Sequence, residues 1–202
     1  RQLCEQAGAT VYFCPENEDI YPKGFSSFVT EEVLAKPLCG VSRPNHFRGV
    51  TTLIAKLFNL IEPAVVFFGQ KTAQRAAVVS KMILDLGYDI EVVVVPTVRE
   101  PDGLAYGIHN KDFTPTQRQE ALSISKALKK VSEMAASGVR SPDRLVAEAT
   151  HILGEHRKVR VIYVSVVDRK TMEAVREVEP GKCLMVVSVW VDELRVVDNV
   201  LL

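Results

Sequence analysis

Residues 64–96 read "AVVFFGQKTAQRAAVVSKMILDLGYDIEVVVVP" and decide the fold of this chain. The runs "AVVFFG" (64–69) and "IEVVVVP" (90–96) are uninterrupted and apolar, as expected of strands buried on both faces. Between them, apolar residues recur at helical spacing at Ala76, Val79, Ile83 and Leu86. Thr72 suits the N-cap of this helix and Gly87 suits its end. A strand, a helix and a strand within about 30 residues predict a right-handed βαβ unit in a parallel sheet.

The segment before this unit is predicted to contain two strands and a helix. "ATVYFC" (9–14) alternates β-branched and aromatic residues and predicts a strand, and "FSSFVT" (25–30) predicts a shorter one. In "RGVTTLIAKLFNLIEP" (48–63), apolar residues at helical spacing predict a helix that stops at Pro63.

The second half of the chain has a different pattern. "TPTQ" (114–117) combines an N-cap residue, a proline at the first helical position and a capping-box glutamine, and predicts a helix to about Gly138. "SP" (141–142) begins a second helix that ends near Gly154. The remaining residues alternate strand-like runs with short turns. This half is therefore predicted to be a small α+β module.

Composition excludes several classes of protein. The 25 basic and 25 acidic side chains balance, which argues against direct nucleic-acid binding, because that binding depends on clustered Lys and Arg. No apolar run is long enough to predict membrane insertion, and the first residues lack the layout of a secretory signal. We expect a soluble protein of a reducing compartment, either the cytoplasm or an organelle matrix.

The cysteines and histidines show no metal-binding motif. Four cysteines, at positions 4, 14, 39 and 183, lack C-x-x-C spacing and are interpreted as small core residues, with disulfide and zinc alternatives left open. The four histidines are dispersed. No residue is assigned to a metal.

Lys71 is the strongest candidate for a functional residue from this pattern alone. It follows the strand that ends at Gly69 and precedes a helix, so it lies at the carboxyl edge of the predicted sheet, where ligands collect in open α/β folds. A phosphate could approach the backbone at Gly69 and be neutralised by the ammonium group. The segment is neither G-x-x-x-x-G-K-[ST] nor G-x-G-x-x-G. An ordinary solvated lysine at a βα turn is the alternative.

Several longer segments resemble the pantothenate synthetase (pantoate–β-alanine ligase) family in order and spacing. They are "EDIYPKGF" (18–25), "LCGVSRPNHFRGV" (38–50), "KLFNLIEPAVVFFGQK" (56–71), "PTVREPDGLA" (96–105) and the terminal "DNVLL" (198–202). The resemblance extends over essentially the whole chain and is most specific in "SRPNHFRG" and "PTVREPDGLA".

The resemblance implies an α/β fold with a Rossmann-like nucleotidylyltransferase parallel sheet, here N-terminally truncated. Residues 1–110 would form a partial nucleotide-binding domain and residues 111–202 an α+β C-terminal lid domain. The family uses ATP and Mg²⁺ to convert pantoate to pantoyl adenylate, and β-alanine then displaces AMP. The resemblance also implies a homodimer formed through the α/β domain.

The resemblance assigns site residues by position. The nucleotide-binding set is Phe68, Gly69, Gln70, Lys71, Thr72, Val98 and His109. Lys71 matches the lysine that contacts the ATP phosphates and is the catalytic candidate, and Val98 matches a residue beside the adenine. Arg43, His46 and Arg75 are the substrate-binding candidates. A surface ion pair is the alternative for Arg43, and a hydrogen-bonded loop imidazole is the alternative for His46.

The chain departs from the family pattern at its chemistry. Gln70 and Thr72 replace a glutamate and an aspartate, and Arg75 replaces a glutamine that hydrogen-bonds pantoate. The family's "MSSRN" is "YGIHN" (106–110) here, so two serine hydroxyls and an arginine that hold the triphosphate are missing. The family's H-x-G-H element would lie upstream of Arg1.

Three hypotheses follow from these departures. The chain is the larger part of a divergent ligase, or a catalytically inactive homologue that serves as a structural subunit of a larger assembly. In the third, Arg75 pairs with an extra carboxylate on a different acid substrate.

Overall fold

The computed structural model describes all 202 residues. The chain forms seven α-helices and five β-strands. The helices are α1 (Gln2–Gln6), α2 (Asn17–Ile20), α3 (Cys39–Ser42), α4 (His46–Ile61), α5 (Ala73–Leu86), α6 (Pro115–Ala136) and α7 (Pro142–Gly154). The strands are β1 (Val65–Gly69), β2 (Glu91–Val95), β3 (Val159–Asp168), β4 (Cys183–Val191) and β5 (Leu194–Leu201). Two 3-10 turns, Gln70–Thr72 and Ile108–Asp112, complete the order.

The predicted βαβ unit is confirmed. β1 and β2 pair in parallel, from Val65 opposite Glu91 to Gly69 opposite Val95, and α5 connects them. Gly87 ends α5 in the left-handed conformation, as its sequence position predicts. Helices α4 and α5 pack together on one face of this sheet, where Phe68 lies against their buried side chains. The α/β fold class is therefore confirmed.

The prediction that these strands are buried on both faces is wrong for this chain. Exposure alternates along β1, and the side chain of Phe67 is 67% exposed. A parallel strand is buried on both faces only when helices cover both sides of its sheet. Both packed helices lie on the Phe68 side, so the opposite face, which includes Val65 and Val95, stays open.

The two strands predicted near the N-terminus are also wrong. Residues 9–14 and 25–30 contain no strand. The backbone of Val29 instead bonds to side chains of α4, because its N–H donates to Thr52 Oγ1 at 3.0 Å and its carbonyl accepts from Thr51 Oγ1 at 2.6 Å. Strand-like composition forms a strand only where a neighbouring strand supplies backbone partners.

The second half forms the predicted helices and strands. Strands β3, β4 and β5 form an antiparallel sheet in that order, and α6 and α7 pack against it around the largest core cluster. Thr114 and Gln117 form the predicted capping box of α6, and Ser141 caps α7. The boundary near residue 110 stays a prediction.

The antiparallel sheet also packs against the βαβ unit. Ala73 of α5 lies in a core cluster with Leu184 and Val186 of β4. The βα turn after β1 is thereby held against the second sheet, and the two form the walls of a cleft.

All four cysteines are free thiols, and only Cys183 is buried. The interpretation of all four as core residues is confirmed only for Cys183. Cys4 and Cys39 are half-buried, and Cys14 is exposed because residues 9–14 form no strand. No helix combines the length and the apolar character that crossing a bilayer requires.

Candidate functional site

A cleft of about 620 Å³ lies between the α3–α4 segment, the start of α5 and strands β4 and β5. Six of the predicted site residues line it: Arg43, His46, Lys71, Thr72, Arg75 and His109. Residues from distant parts of the sequence are therefore brought to one concave surface, which is the usual geometry of a ligand site.

Lys71 is not an ordinary solvated lysine. It sits in the 3-10 turn between β1 and α5, and its Nζ donates to the carbonyl of Tyr106 at 3.0 Å. Burial lowers the pKa of its ammonium group, because a charge in a poorly hydrated place is disfavoured. A partly desolvated cation at the start of a 14-residue helix can hold an anion strongly.

Asn199 of β5 holds the turn that carries Lys71. Its side-chain Nδ2 donates to the carbonyls of Gln70 (2.8 Å) and Lys71 (3.1 Å), and its Oδ1 accepts from Gln70 Nε2 at 2.9 Å. Asn199 is only 4% exposed, so these bonds are shielded from water. The last strand of the chain therefore fixes the position of Lys71.

His46 is the first residue of α4 and faces a group of arginines. Burial, followed by the charges of Arg43, Arg75 and Arg195, lowers its pKa to about 4. The imidazole is therefore neutral at pH 7 and offers one donor and one acceptor. Its ring makes no hydrogen bond and Arg43 makes no ion pair, so neither alternative interpretation of these residues is seen.

The family model for pantoate-beta-alanine ligase matches residues 1–201. The chain belongs to the pantoate–β-alanine ligase family. A pantothenate synthetase of Pseudothermotoga lettingae is 39% identical over 200 residues, which are 99% of this chain and 71% of the relative. Pantothenate synthetase 1 of Bradyrhizobium diazoefficiens is 44% identical over 200 residues, 99% of this chain and 70% of the relative.

Solved structures of pantoate–β-alanine ligases share the fold. Pantothenate synthetase from Thermus thermophilus superposes with a TM-score of 0.94 at 35% identity, covering 99% of this chain and 72% of that one. The Francisella tularensis ligase, at 23% identity and a TM-score of 0.76, covers 99% of this chain and 67% of that one, and shows the fold alone.

Four predicted site residues of this family member lie outside the lining of the cleft. Phe68 packs into the core between the sheet and helices α4 and α5. Gln70 is bonded to Asn199, and Val98 is exposed beside the neighbouring loop. A side chain at Gly69 would meet nothing within 4 Å, so the backbone there is open to a ligand.

Residues 106–112 form a loop over Lys71 in this pantoate–β-alanine ligase fold. Gly107 lies so close to Lys71 that a Cβ there would stand 2.6 Å from Nζ. Asn110 Nδ2 donates to Glu100 and to the carbonyl of Ala105, and His109 Nδ1 lies 3.2 Å from Asp112 Oδ2. The loop is therefore tied to its own neighbourhood and gives Lys71 a backbone carbonyl.

Sequence reasoning missed the cleft wall formed by the second sheet. Arg195 Nη2 donates to Ser42 Oγ at 3.0 Å, and Tyr163 Oη lies 3.2 Å from Cys39 Sγ. Burial of the Tyr163 hydroxyl raises its pKa, and the neighbouring Cys39 raises it further. The sequence feature that points to this wall of the cleft is Arg195, a charged residue within an otherwise apolar strand pattern. No three His, Cys, Asp or Glu side chains are grouped so that they could hold a metal ion.

Proposed function

We propose that this protein joins pantoate to β-alanine with ATP, through a pantoyl adenylate. Membership of the pantoate–β-alanine ligase family supports the reaction class. The observation that carries the proposal is the partly buried Lys71 at the carboxyl end of β1, held in the cleft by Asn199. Its charge stands at the edge of a parallel sheet where phosphates bind in other α/β proteins.

Adenylation demands little covalent participation by the protein. The acid's carboxylate attacks the α-phosphorus and pyrophosphate leaves, so the protein must align the reactants and neutralise phosphate charge. In our proposal Lys71 exchanges its bond to the Tyr106 carbonyl for a phosphate oxygen. The open backbone at Gly69 and the N-terminus of α5 provide space and further positive potential.

Amide formation follows when the amine of β-alanine attacks the acyl carbonyl and AMP leaves. Arg43, His46 and Arg75 are proposed to contact the organic substrates, because they line the cleft from the α3–α4 side. The neutral imidazole of His46 can accept one hydrogen bond and donate another without adding charge.

Magnesium and dimerisation are part of the same proposal. Since the chain groups no three candidate metal ligands, we propose that Mg²⁺ enters coordinated by the phosphates of ATP, as is usual for this ion. We further propose that the protein forms the homodimer that the family resemblance implies. Light scattering, which measures the molecular mass in solution, tests this proposal.

The proposal is tested by pantoate-dependent exchange of labelled pyrophosphate into ATP, followed by AMP release on adding β-alanine. Lys71→Ala should lower the exchange rate by roughly 100- to 1000-fold, because one preorganised charge is removed. Lys129→Ala, at an exposed position of α6, is the matched control and should exchange normally. Absence of exchange in the unsubstituted protein contradicts the proposal.

The second candidate function is a structural subunit without catalysis. The loop over Lys71 favours it, since residues 106–109 offer a backbone carbonyl to the ammonium and the apolar Ile108 is 75% exposed. A protein of this kind shows no change in melting temperature with Mg²⁺ and ATP. A ligand at 100 times its Kd stabilises by about 2.7 kcal/mol, so a clear upward shift contradicts this candidate.

A further inference from the structure

Arg75 carries a buried hydrogen-bond donor that has no partner. It lies in the first turn of α5 and lines the cleft. Its Nε is one of two buried side-chain nitrogen or oxygen atoms in the chain that make no hydrogen bond. A buried donor without an acceptor costs about 1–3 kcal/mol, and more on a charged group. Such a cost is offset when a ligand supplies the acceptor.

Two further guanidinium groups share this part of the cleft. Arg43, Arg75 and Arg195 all lower the pKa of His46, so their charges converge on one imidazole. Arg195 bonds only to uncharged groups, on Ser188, Ser42 and Cys39.

No carboxylate neutralises this positive end of the cleft. Glu193 also lines the cleft, but it lies beyond 4.0 Å from every lysine and arginine nitrogen. Asp198 is bound by both terminal nitrogens of Arg99. The three arginines therefore form no ion pair within the chain.

The phosphate candidate Lys71 belongs to a different electrostatic environment. The charges that act on it are those of Asp198, Arg99 and Glu100, and its ammonium points at the loop that begins with Tyr106. Arg195 instead donates to Ser42, the residue before Arg43. Lys71 therefore faces the loop end of the cleft, whereas Arg43 and Arg195 lie at the α3 end.

We propose that Arg75, with Arg43 and Arg195, forms a subsite for a carboxylate of one of the two organic substrates, while the nucleotide phosphates bind at the Lys71 end. The inference rests on the proposed function and adds to it the place of a substrate anion. A planar guanidinium matches a carboxylate with two parallel hydrogen bonds, and Nε is one of the donors in that arrangement. The carboxylate comes from the acid or from β-alanine, and the experiment separates them.

The test measures binding of pantoate, β-alanine and the primary amide of each, in which an uncharged carboxamide replaces the carboxylate, to the protein by calorimetry, without ATP. One of the two acids should bind, and its amide should bind about tenfold more weakly or worse, because the charge-assisted pair is lost. Arg75→Met, which keeps the length of the side chain but removes every donor, should weaken binding of that same acid by about tenfold or more. Arg75→Lys, which keeps the charge but not the planar fork, should restore part of it.

Arg144→Met is the matched control, because Arg144 is exposed on α7 and its side chain makes no bond within the chain. Its acid binding should equal that of the unsubstituted protein. Whether pantoate or β-alanine responds to Arg75→Met identifies the source of the carboxylate. The inference is overturned if neither acid binds, if the amides bind equally well, or if Arg75→Met weakens binding of inorganic pyrophosphate instead.

A stability measurement separates a binding role from a structural one. Arg75→Met should not lower the melting temperature of the ligand-free protein, because it removes a buried donor that has no partner. A large loss of stability would instead assign Arg75 to the fold and would overturn the inference. Since binding is measured without ATP, a failure of pyrophosphate exchange contradicts the proposed function alone.

Discussion

Two basic side chains of the cleft, Lys71 and His46, lie where their charged forms are disfavoured. Burial lowers the pKa of Lys71, and burial together with three arginines lowers the pKa of His46 to about 4. Folding therefore places basic groups where their charged forms are disfavoured. The imidazole of His46 is therefore uncharged at neutral pH.

At the residue scale we predict that His46 makes stability depend on pH. The unfolded chain takes up a proton near the ordinary pKa of 6.5, whereas the folded chain does so only near 4. The free energy of unfolding should therefore fall as the pH drops from about 6.5 to about 4, with no contribution from His46 above that range. Urea unfolding at several pH values measures this fall.

His46→Gln should remove part of the fall, because glutamine does not titrate. His151→Gln, at an exposed position of α7, is the control and should keep the fall that the unsubstituted protein shows. Equal pH profiles for His46→Gln and the unsubstituted protein would show that burial and the arginines do not lower the pKa of His46.

Among the secondary-structure elements, β1 places two adjacent phenylalanines, Phe67 and Phe68, in different environments. Phe67 and Phe68 are chemically identical neighbours, and successive side chains of a strand point to opposite faces. Phe68 packs against α4 and α5, while Phe67 is 67% exposed on the open face. Because α4 and α5 cover only one face of the sheet, the phenylalanine on that face contributes more to stability.

We predict unequal effects of the same substitution at these two positions. Phe68→Ala should lower the free energy of unfolding by about 2–4 kcal/mol, since a packed ring leaves a cavity. Phe67→Ala in the 202-residue chain should change it by less than about 1 kcal/mol, because the ring has little buried area to lose. Urea midpoints measure both, and equal losses would contradict the observed packing of β1.

For the whole molecule, the cleft exists because the second sheet is fastened to the βαβ unit. Arg99, which follows β2, bonds with both terminal nitrogens to Asp198 of β5, at 2.7 and 3.2 Å. The side chain of Asp198 is 1% exposed and that of Arg99 is 33% exposed. Next to Asp198, Asn199 holds the turn of Lys71. Strand β5 thus both attaches the second sheet to the βαβ unit and supports the turn of Lys71.

Arg99→Met should destabilise the protein by about 3–5 kcal/mol, because a buried carboxylate is left without its cation. Adding Asp198→Asn should recover part of this loss, since an amide oxygen can still accept from the backbone N–H of Asn199. Lys182→Met, which breaks the exposed pair with Glu179, is the control and should cost about 1 kcal/mol at most. Thermal unfolding checks all three, and a loss at Arg99 no larger than the control would contradict the fastening role.

Local patterns in the sequence predict the elements of this fold well. The repeats at Ala76, Val79, Ile83 and Leu86, the glycine at 87 and the capping box at Thr114 give the helix bounds within a few residues. Lys71 is predicted at the edge of the sheet and lies there. These features are short-range, since hydrophobic period and capping involve residues within about four positions of each other.

The surroundings of these elements depend on long-range packing. Residues 9–14 read as a strand but form none, and β1 reads as fully buried but is open on one face, because both outcomes depend on which neighbours pack there. Asn199 supports Lys71 from 128 residues away, and Arg195 meets Ser42 from 153 residues away. The order of helices and strands and the place of Lys71 can be predicted from the amino-acid sequence, since they follow from local periodicity. Long-range packing left Arg43, Arg75 and Arg195 without a carboxylate partner, because ion pairing depends on distances that no local sequence pattern encodes.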